Sequence, residues 1–140
     1  MAYWLLKSEP GNWSWEDQIN KGDVGEGWDG VRNYQASNNM KLMEIGDVAF
    51  FYHSVNEKCI VGIVEVIKKY YPDPTDESGR FGMVKVKALK TLKNPVFLSE
   101  IKANMDLQEI ALVKQSRLSV MPISKNHWKI LLNMSSTKFP

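Results

Sequence analysis

"GDVAFFYHSVNEKCIVGIVEVIKKYY", residues 46 to 71, decides how this chain folds. Two runs rich in β-branched and aromatic residues, "DVAFFYHS" (47–54) and "CIVGIVEVIKKYY" (59–71), flank a polar turn near Asn56 and Glu57. That pattern predicts two strands in a hairpin. Gly62, inside the second run, marks a β-bulge. Alternation in the first run puts Phe51 and His53 on one face and Phe50 and Tyr52 on the other. After the loop "YPDPTDESGRFG" (71–82), "MVKVKALKTL" (83–92) continues the sheet, with Val84, Val86 and Ala88 facing inward and Lys85 and Lys87 outward.

Outward from this centre, "YWLLK" (3–7) reads as a first strand ended by the turn cluster "SEPGN". Ser14 and Asp17 are spaced as a capping box for a short helix that Gly22 stops. Met40 and Met43 recur at helical spacing between Asn33 and Glu44, predicting a polar-faced helix closed by Gly46. Ser99 caps a helix to about Asn104, and a second short one covers roughly 107–115. "RLSVMPI" (117–123) is a last strand ending at Pro122, and Ser124 caps a final helix. Helices do not alternate regularly with strands, which argues against a doubly wound sheet. The expected fold is α+β: a small, mixed but mostly antiparallel β-barrel of five or more strands, closed or nearly so, with packed helices.

The chain has 140 residues, enough for one core without a metal or disulfide staple. Its net charge of +2 neither announces nor excludes a polyanion partner, because clustering outweighs the sum. The single cysteine, Cys59, sits in an apolar run and reads as a small buried hydrophobe. No apolar run approaches the ~20 residues of a membrane span, and "MAYWLLKSEP" is no signal peptide. The expectation is a cytoplasmic protein, nuclear if the source is eukaryotic, monomeric and away from membranes. No metal-spaced Cys/His set or cofactor motif is present. "GEGWDG" (25–30) matches the spacing of a dinucleotide loop, but it follows a helix and sets Glu26 and Asp29 where they would repel phosphate.

"WDGVRNYQASNN" (28–39) carries the functional signal. Trp28 stands in a glycine-rich loop, followed by Asp29, Arg32, Asn33, Tyr34, Gln35 and Asn38, nearly all of them directional hydrogen-bonding groups. They form either a helix cap with a solvated face, leaving Trp28 exposed without a purpose, or the lining of a pocket. The pocket reading accounts for the composition better: a planar ligand stacks on the indole while amide and charged groups read its edge. Trp4, Trp13, Trp15 and Trp128 read as core by default. His53 is open between a buried histidine satisfied by backbone and a polar group at a pocket mouth. Glu9, Asp29 and Glu65 show no acid/base pairing in sequence.

Taken together, "WLLKSEP" (4–10), "WSWEDQ" (13–18), "WDGVRNYQA" (28–36), "GDVAFFYHS" (46–54), "IVGIVEV" (60–66), "YPDPT" (71–75) and "RLSVMPI" resemble the EVE-domain, or thymocyte nuclear protein 1, family almost end to end. The resemblance implies a PUA-like fold related to the YTH readers, spanning residues 1–134; the remaining "SSTKFP" (135–140) reads by itself as a frayed, disordered tail. It also implies a non-catalytic module that binds nucleic acid, DNA or RNA, and reads a modified base, modified cytosine in DNA being the usual proposal. By the same analogy Lys7 and Ser8 begin the pocket, Trp28 walls it, and Asn33 and Asn38 read polar edges. Tyr52, His53, Ser54, Arg117, Leu118 and Ser119 lie nearby. Tyr34 or Tyr52 would add a wall, and Lys7, Arg32, Lys85 and Lys87 would neutralise phosphates. No cofactor is implied. Two departures stand out: Phe81 where members often have Trp, and Ser37 where they usually have Arg, costing one phosphate or base contact. The rival readings are an enzyme on a small planar substrate with His53 as general base, and a protein-interaction module with an exposed apolar patch.

Overall fold

The computed structural model describes residues 1–139. Six strands run in chain order: β1 Tyr3–Ser8, β2 Glu26–Gly27, β3 Val48–His53, β4 Cys59–Pro72, β5 Gly82–Phe97 and β6 Val120–Ile123. Five helices accompany them: α1 Trp15–Asn20, α2 Tyr34–Lys41, α3 Leu98–Ala103, α4 Ala111–Lys114 and α5 Lys125–Met134, with 3-10 turns at Gly22–Val24 and Met105–Leu107. The hairpin read from residues 46–71 is the centre of one sheet, ordered β2-β5-β4-β3-β1-β6. Every neighbouring pair is antiparallel except β1 with β3, which run parallel.

The α+β, mostly antiparallel architecture is as expected; closure into a barrel is not. The sheet is open, with β2 at one edge and β6 at the other. The physical reason lies in those edges. Strand β2 has two residues, too few to carry a further ladder, and Pro122 leaves β6 a backbone donor short. Helix α2 packs against β6 at one edge of the sheet and against β4 and β5 in its other half.

Sequence and structure agree in detail at the bulge. The β3–β4 register shifts between Phe51, opposite Gly62, and Tyr52, opposite Ile60, leaving Val61 as the extra residue. Gly62 has a second purpose. The Trp15 ring lies on it so closely that a Cβ there would meet the indole at 2.3 Å. Only glycine lets α1 dock flat on the sheet. Trp15 Nε1 then donates to Thr91 Oγ1 at 2.9 Å on β5. The capping box at Ser14 and Asp17 forms, as does the Ser124 cap of α5.

Val84 and Val86 are buried and Lys85 and Lys87 lie half-exposed on the other face, as alternation required. Leu5, Leu6, Phe50, Phe51, Ile60, Ile63 and Met121 fill the core, and Trp128 of α5 stacks on Phe50 at 3.9 Å between ring centroids. The buried carboxylate of Asp47 accepts from Trp4 Nε1, Ala2 N and Glu44 N, which satisfies its burial.

The expected frayed tail is held instead. Ser135 and Thr137 are buried, Asn94 N donates to Ser135 O, and Lys93 N donates to Thr137 Oγ1 at 2.9 Å, so residues 135–137 satisfy donors of β5. Phe139 packs edge-on against Trp128, and Pro140 lies outside the described residues. Among the described residues no helix is long and apolar enough to cross a membrane.

Candidate functional site

A cavity of about 430 Å³ opens where the end of β1 meets the loop after β2. That volume is within the range of small-molecule pockets. One wall is Lys7, Ser8, Glu9, Asn12 and Trp13, from the end of β1 and the turn into α1. The other is Glu26, Gly27, Trp28, Asp29 and Gly30. Ser8 Oγ donates to the Trp13 carbonyl, which folds the turn back over the strand and brings the Trp13 ring to the cavity. Trp13 Nε1 donates to Gln18 Oε1 at 2.9 Å, and buried Gln18 in turn donates to Val86 O. The half-buried Trp13 ring is thereby oriented by the sheet.

Trp28 is set more firmly. Its N–H donates to Val84 O at 2.7 Å, extending the β2–β5 pairing by one bond. The approach depends on Gly25, whose φ is 72° and whose absent Cβ would lie 2.5 Å from Val86 O. The indole meets Phe51 edge-to-face at 5.4 Å and is only 6% exposed. Trp28 is therefore a core residue that presents part of its surface to the cavity, not a free-standing wall.

The loop that follows is clamped by Asp73, whose side chain is fully buried. One of its oxygens accepts from Gly30 N and Arg32 Nη1, the other from Thr75 N and Thr75 Oγ1. Burial pushes this carboxyl upward, but the bonds from Thr75, Gly30 and Arg32 outweigh it and hold its pKa below the ordinary value. Asp29 moves the other way: burial, then the negative charges of Asp73 and Glu26, push its pKa up. Burial lowers the pKa of Lys7, whose Nζ donates to Ser116 O at 2.9 Å. The cavity thus holds three carboxylates, two indoles and one desolvated ammonium.

This architecture is shared by known proteins. The EVE domain model matches residues 2–134. The chain belongs to the EVE-domain family. Thymocyte nuclear protein 1 of Gallus gallus is 33% identical, over 98% of this chain and 70% of its own. A crystal structure from Agrobacterium tumefaciens is 45% identical with a TM-score of 0.97, covering 100% of this chain and 97% of that one. Human thymocyte nuclear protein 1, solved in complex with 5-methylcytosine-containing DNA, is 30% identical with a TM-score of 0.91 and full coverage of both chains.

In this EVE domain the predicted site residues separate into several places. Lys7, Ser8, Trp28 and Asp29 line the main cavity. Asn33, Gln35, Arg117 and Leu118 line a second depression with Lys114, Gln115 and Ser116. Tyr52 and Ser54 line a groove that Lys7 also borders, and burial pushes the Tyr52 hydroxyl up to about 12. Ser119 supplies a carbonyl to Lys7 N. Asn33 caps α2, its Oδ1 accepting from Ala36 N, and Asn38 is exposed on the same helix. Tyr34, 60% exposed, leans on Phe81, and the Arg32 guanidinium lies over the Phe81 ring. Asn33 thus serves as the cap of α2, and of residues 28–39 Trp28, Asp29 and Gly30 line the main cavity.

His53 resolves toward its blander reading. Nε2 accepts from Trp15 N at 3.0 Å, which fixes the proton on Nδ1, and Nδ1 faces Glu57 Oε1 at 3.2 Å. Both ring nitrogens are occupied. Two of the four expected phosphate ligands are ion-paired elsewhere: Arg32 with Asp73, and Lys87 with Asp23 and Glu65. Among the described residues no group of three or more His, Cys, Asp or Glu could hold a metal ion. Sequence reasoning missed Glu9, Asn12, Trp13 and Glu26. The available signal was that "SEPGNWS" is a turn carrying a Trp, the same combination that singled out Trp28.

Proposed function

We propose that this EVE domain is a non-catalytic nucleic-acid-binding module that takes a flipped or unpaired modified base into the Lys7–Trp28 cavity. 5-Methylcytosine in DNA is the first candidate, by the human relative's complex with such DNA. The observation that carries the reading is the cavity's make-up: indoles of Trp13 and Trp28 beside the carboxylates of Glu9, Glu26 and Asp29. Indole faces offer stacking to any base, about 1–3 kcal/mol each. Carboxylates accept and never donate when ionised, so they select a base with an exocyclic amino group, as cytosine has at N4. A 5-methyl group adds apolar area against the indoles without requiring a hydrogen-bond partner. Lys7 at the rim offers a single cation to the phosphate beside the base.

The enzyme reading lacks its base. A general base must reach the substrate with a free lone pair, and both nitrogens of His53 are committed inside the fold. The module acts as a monomer in this reading, each chain carrying a complete cavity. The test is a titration of short oligonucleotides carrying one cytosine, 5-methylcytosine, thymine or adenine in an unpaired position, at one salt concentration. The expected order places 5-methylcytosine first and thymine, which lacks the amino group, behind cytosine. Equal affinity for all four would remove base reading.

A further inference from the structure

Beyond Lys7, away from the base cavity, the surface changes sign. A groove of about 190 Å³ is lined by Lys7, Tyr52, Ser54, Val55, Lys58, Leu98, Lys102, Leu112 and Ser116, with no carboxylate among them. Lys58 and Lys102 also border a second depression that shares Leu98 with the groove and carries one carboxylate, Glu57. Neither lysine forms an ion pair among the described residues, whereas Arg32, Lys69, Lys87 and Lys114 each do. The nearest acids in sequence are already spoken for. Glu57 faces His53, and Glu100 accepts from Phe97 N at the start of α3. The turn that carries Lys58 is also unusual: Val55 and Lys58 hold φ values of 75° and 51°. Non-glycine residues rarely adopt such values, and a β-branched one hardly ever. This hairpin end places Lys58 in the lining of the groove together with Lys102 of α3.

We propose that this groove is the track for the phosphodiesters flanking the base, with Lys58 and Lys102 as their free cations, Ser54 and Ser116 as hydroxyl donors, and Lys7 as the hinge shared with the base cavity. The inference rests on the base-reading proposal and adds to it where the backbone runs. It replaces the earlier expectation of a phosphate face at Arg32, Lys85 and Lys87. A free cation releases condensed counterions when it meets a phosphate, and one already paired releases fewer. Hydroxyls beside lysines suit phosphate oxygens, which accept several bonds each. The division of labour is physical: carboxylates beside a phosphate would repel it, so the strand leaves the acidic cavity toward the groove, whose own lining carries none.

The experiment measures affinity for a single-stranded oligonucleotide with one 5-methylcytosine, and for its unmodified twin, across a series of salt concentrations. Wild type is compared with Lys58→Gln/Lys102→Gln and with Lys85→Gln/Lys87→Gln, all checked by melting curve. The groove variant should flatten the log–log salt slope by about 1.4, two contacts at about 0.7 each for a single strand. It should weaken both oligonucleotides by the same factor, leaving discrimination intact. Replacing the two linkages flanking the base by uncharged methylphosphonates should flatten the wild-type slope equally and change the groove variant little. The Lys85/Lys87 variant should keep the wild-type slope. If wild type discriminates the modified base while the groove variant keeps its slope, the track is elsewhere and base reading survives. If wild type binds neither oligonucleotide, both proposals fall.

Discussion

The surfaces on the two sides of Lys7 are built from opposite materials. On one side lie two indoles and three carboxylates, Glu9, Glu26 and Asp29, with Asp29 held above its ordinary pKa by burial and by its acidic neighbours. On the other lie Lys58 and Lys102 with the hydroxyls of Ser54 and Ser116. Their supports differ as well. The acidic side is fixed by the sheet, through Trp28 N on Val84 O and the Gln18 bridge from Trp13 to Val86. The basic side hangs on a hairpin turn, a short helix and the loop that follows α4. A ligand with one planar, amino-bearing end and one anionic end matches this division, and a nucleotide is such a ligand. A near-neutral net charge therefore conceals two patches of opposite sign.

The comparison can be broken first at its rigid side. Trp28→Ala should lower stability by about 3–5 kcal/mol, since the indole is a buried partner of Phe51, and the loss would be read from a denaturant melt. A near-neutral result would return Trp28 to the role of a loose wall. Next, Asp73→Ala should cost about 2–3 kcal/mol at neutral pH, because Gly30 N and the Thr75 groups lose their acceptor. Asp73 has a depressed folded-state pKa. Its contribution is therefore full above the unfolded value of about 3.9 and fades as pH falls through the lower folded value. The gap between wild type and variant should close over that acidic window, and a gap constant with pH would contradict the clamp.

Smaller effects sharpen the contrast. Asp29→Asn should leave the fold intact and erode the preference for cytosine over thymine by about 1–3 kcal/mol. Because the Asp29 pKa is raised, wild-type preference should begin to fail at a higher pH on acidification than an ordinary aspartate would allow, and the variant should lack that step. Smallest of all, Lys85→Gln/Lys87→Gln should change affinity by less than about 0.5 kcal/mol, since Lys87 is already paired with Asp23 and Glu65 and neither lysine lines the cavity or the groove. A larger loss would move the basic track onto β5.

The fold was legible where periodicity and local chemistry act alone. The alternation at Val84–Lys87, the bulge beside Gly62 and the caps at Ser14 and Ser124 are all decided within a few residues. Openness of the sheet was not legible. It depends on how α2, a helix whose sequence names no docking partner, settles between distant strands. The tail was misjudged for a related reason: Thr137 is polar, and only the unpaired Lys93 N on β5 gives it a place. At the site, Trp28 announced itself because a glycine-rich loop seldom carries an indole. Two of the residues after it look like binding groups, yet their hydrogen bonds stay within the fold. Arg32 is taken by Asp73, 41 residues away, and Asn33 by its own helix. Conversely Trp13 and Glu9 look like turn and core until the Ser8 hydroxyl folds the chain back.

The central claim is that a base enters the Trp13–Trp28 cavity, and Trp13 is the wall that can be removed without dismantling the core. The most direct measurement titrates wild type and Trp13→Ala, at one salt concentration, with oligonucleotides that differ only in carrying 5-methylcytosine or an abasic linkage at one position. The account predicts that wild type binds the 5-methylcytosine strand more tightly, that Trp13→Ala loses about 1–3 kcal/mol on that strand, and that the two proteins bind the abasic strand alike. Equal wild-type affinity for the two strands, or an equal loss on both in the variant, would contradict it.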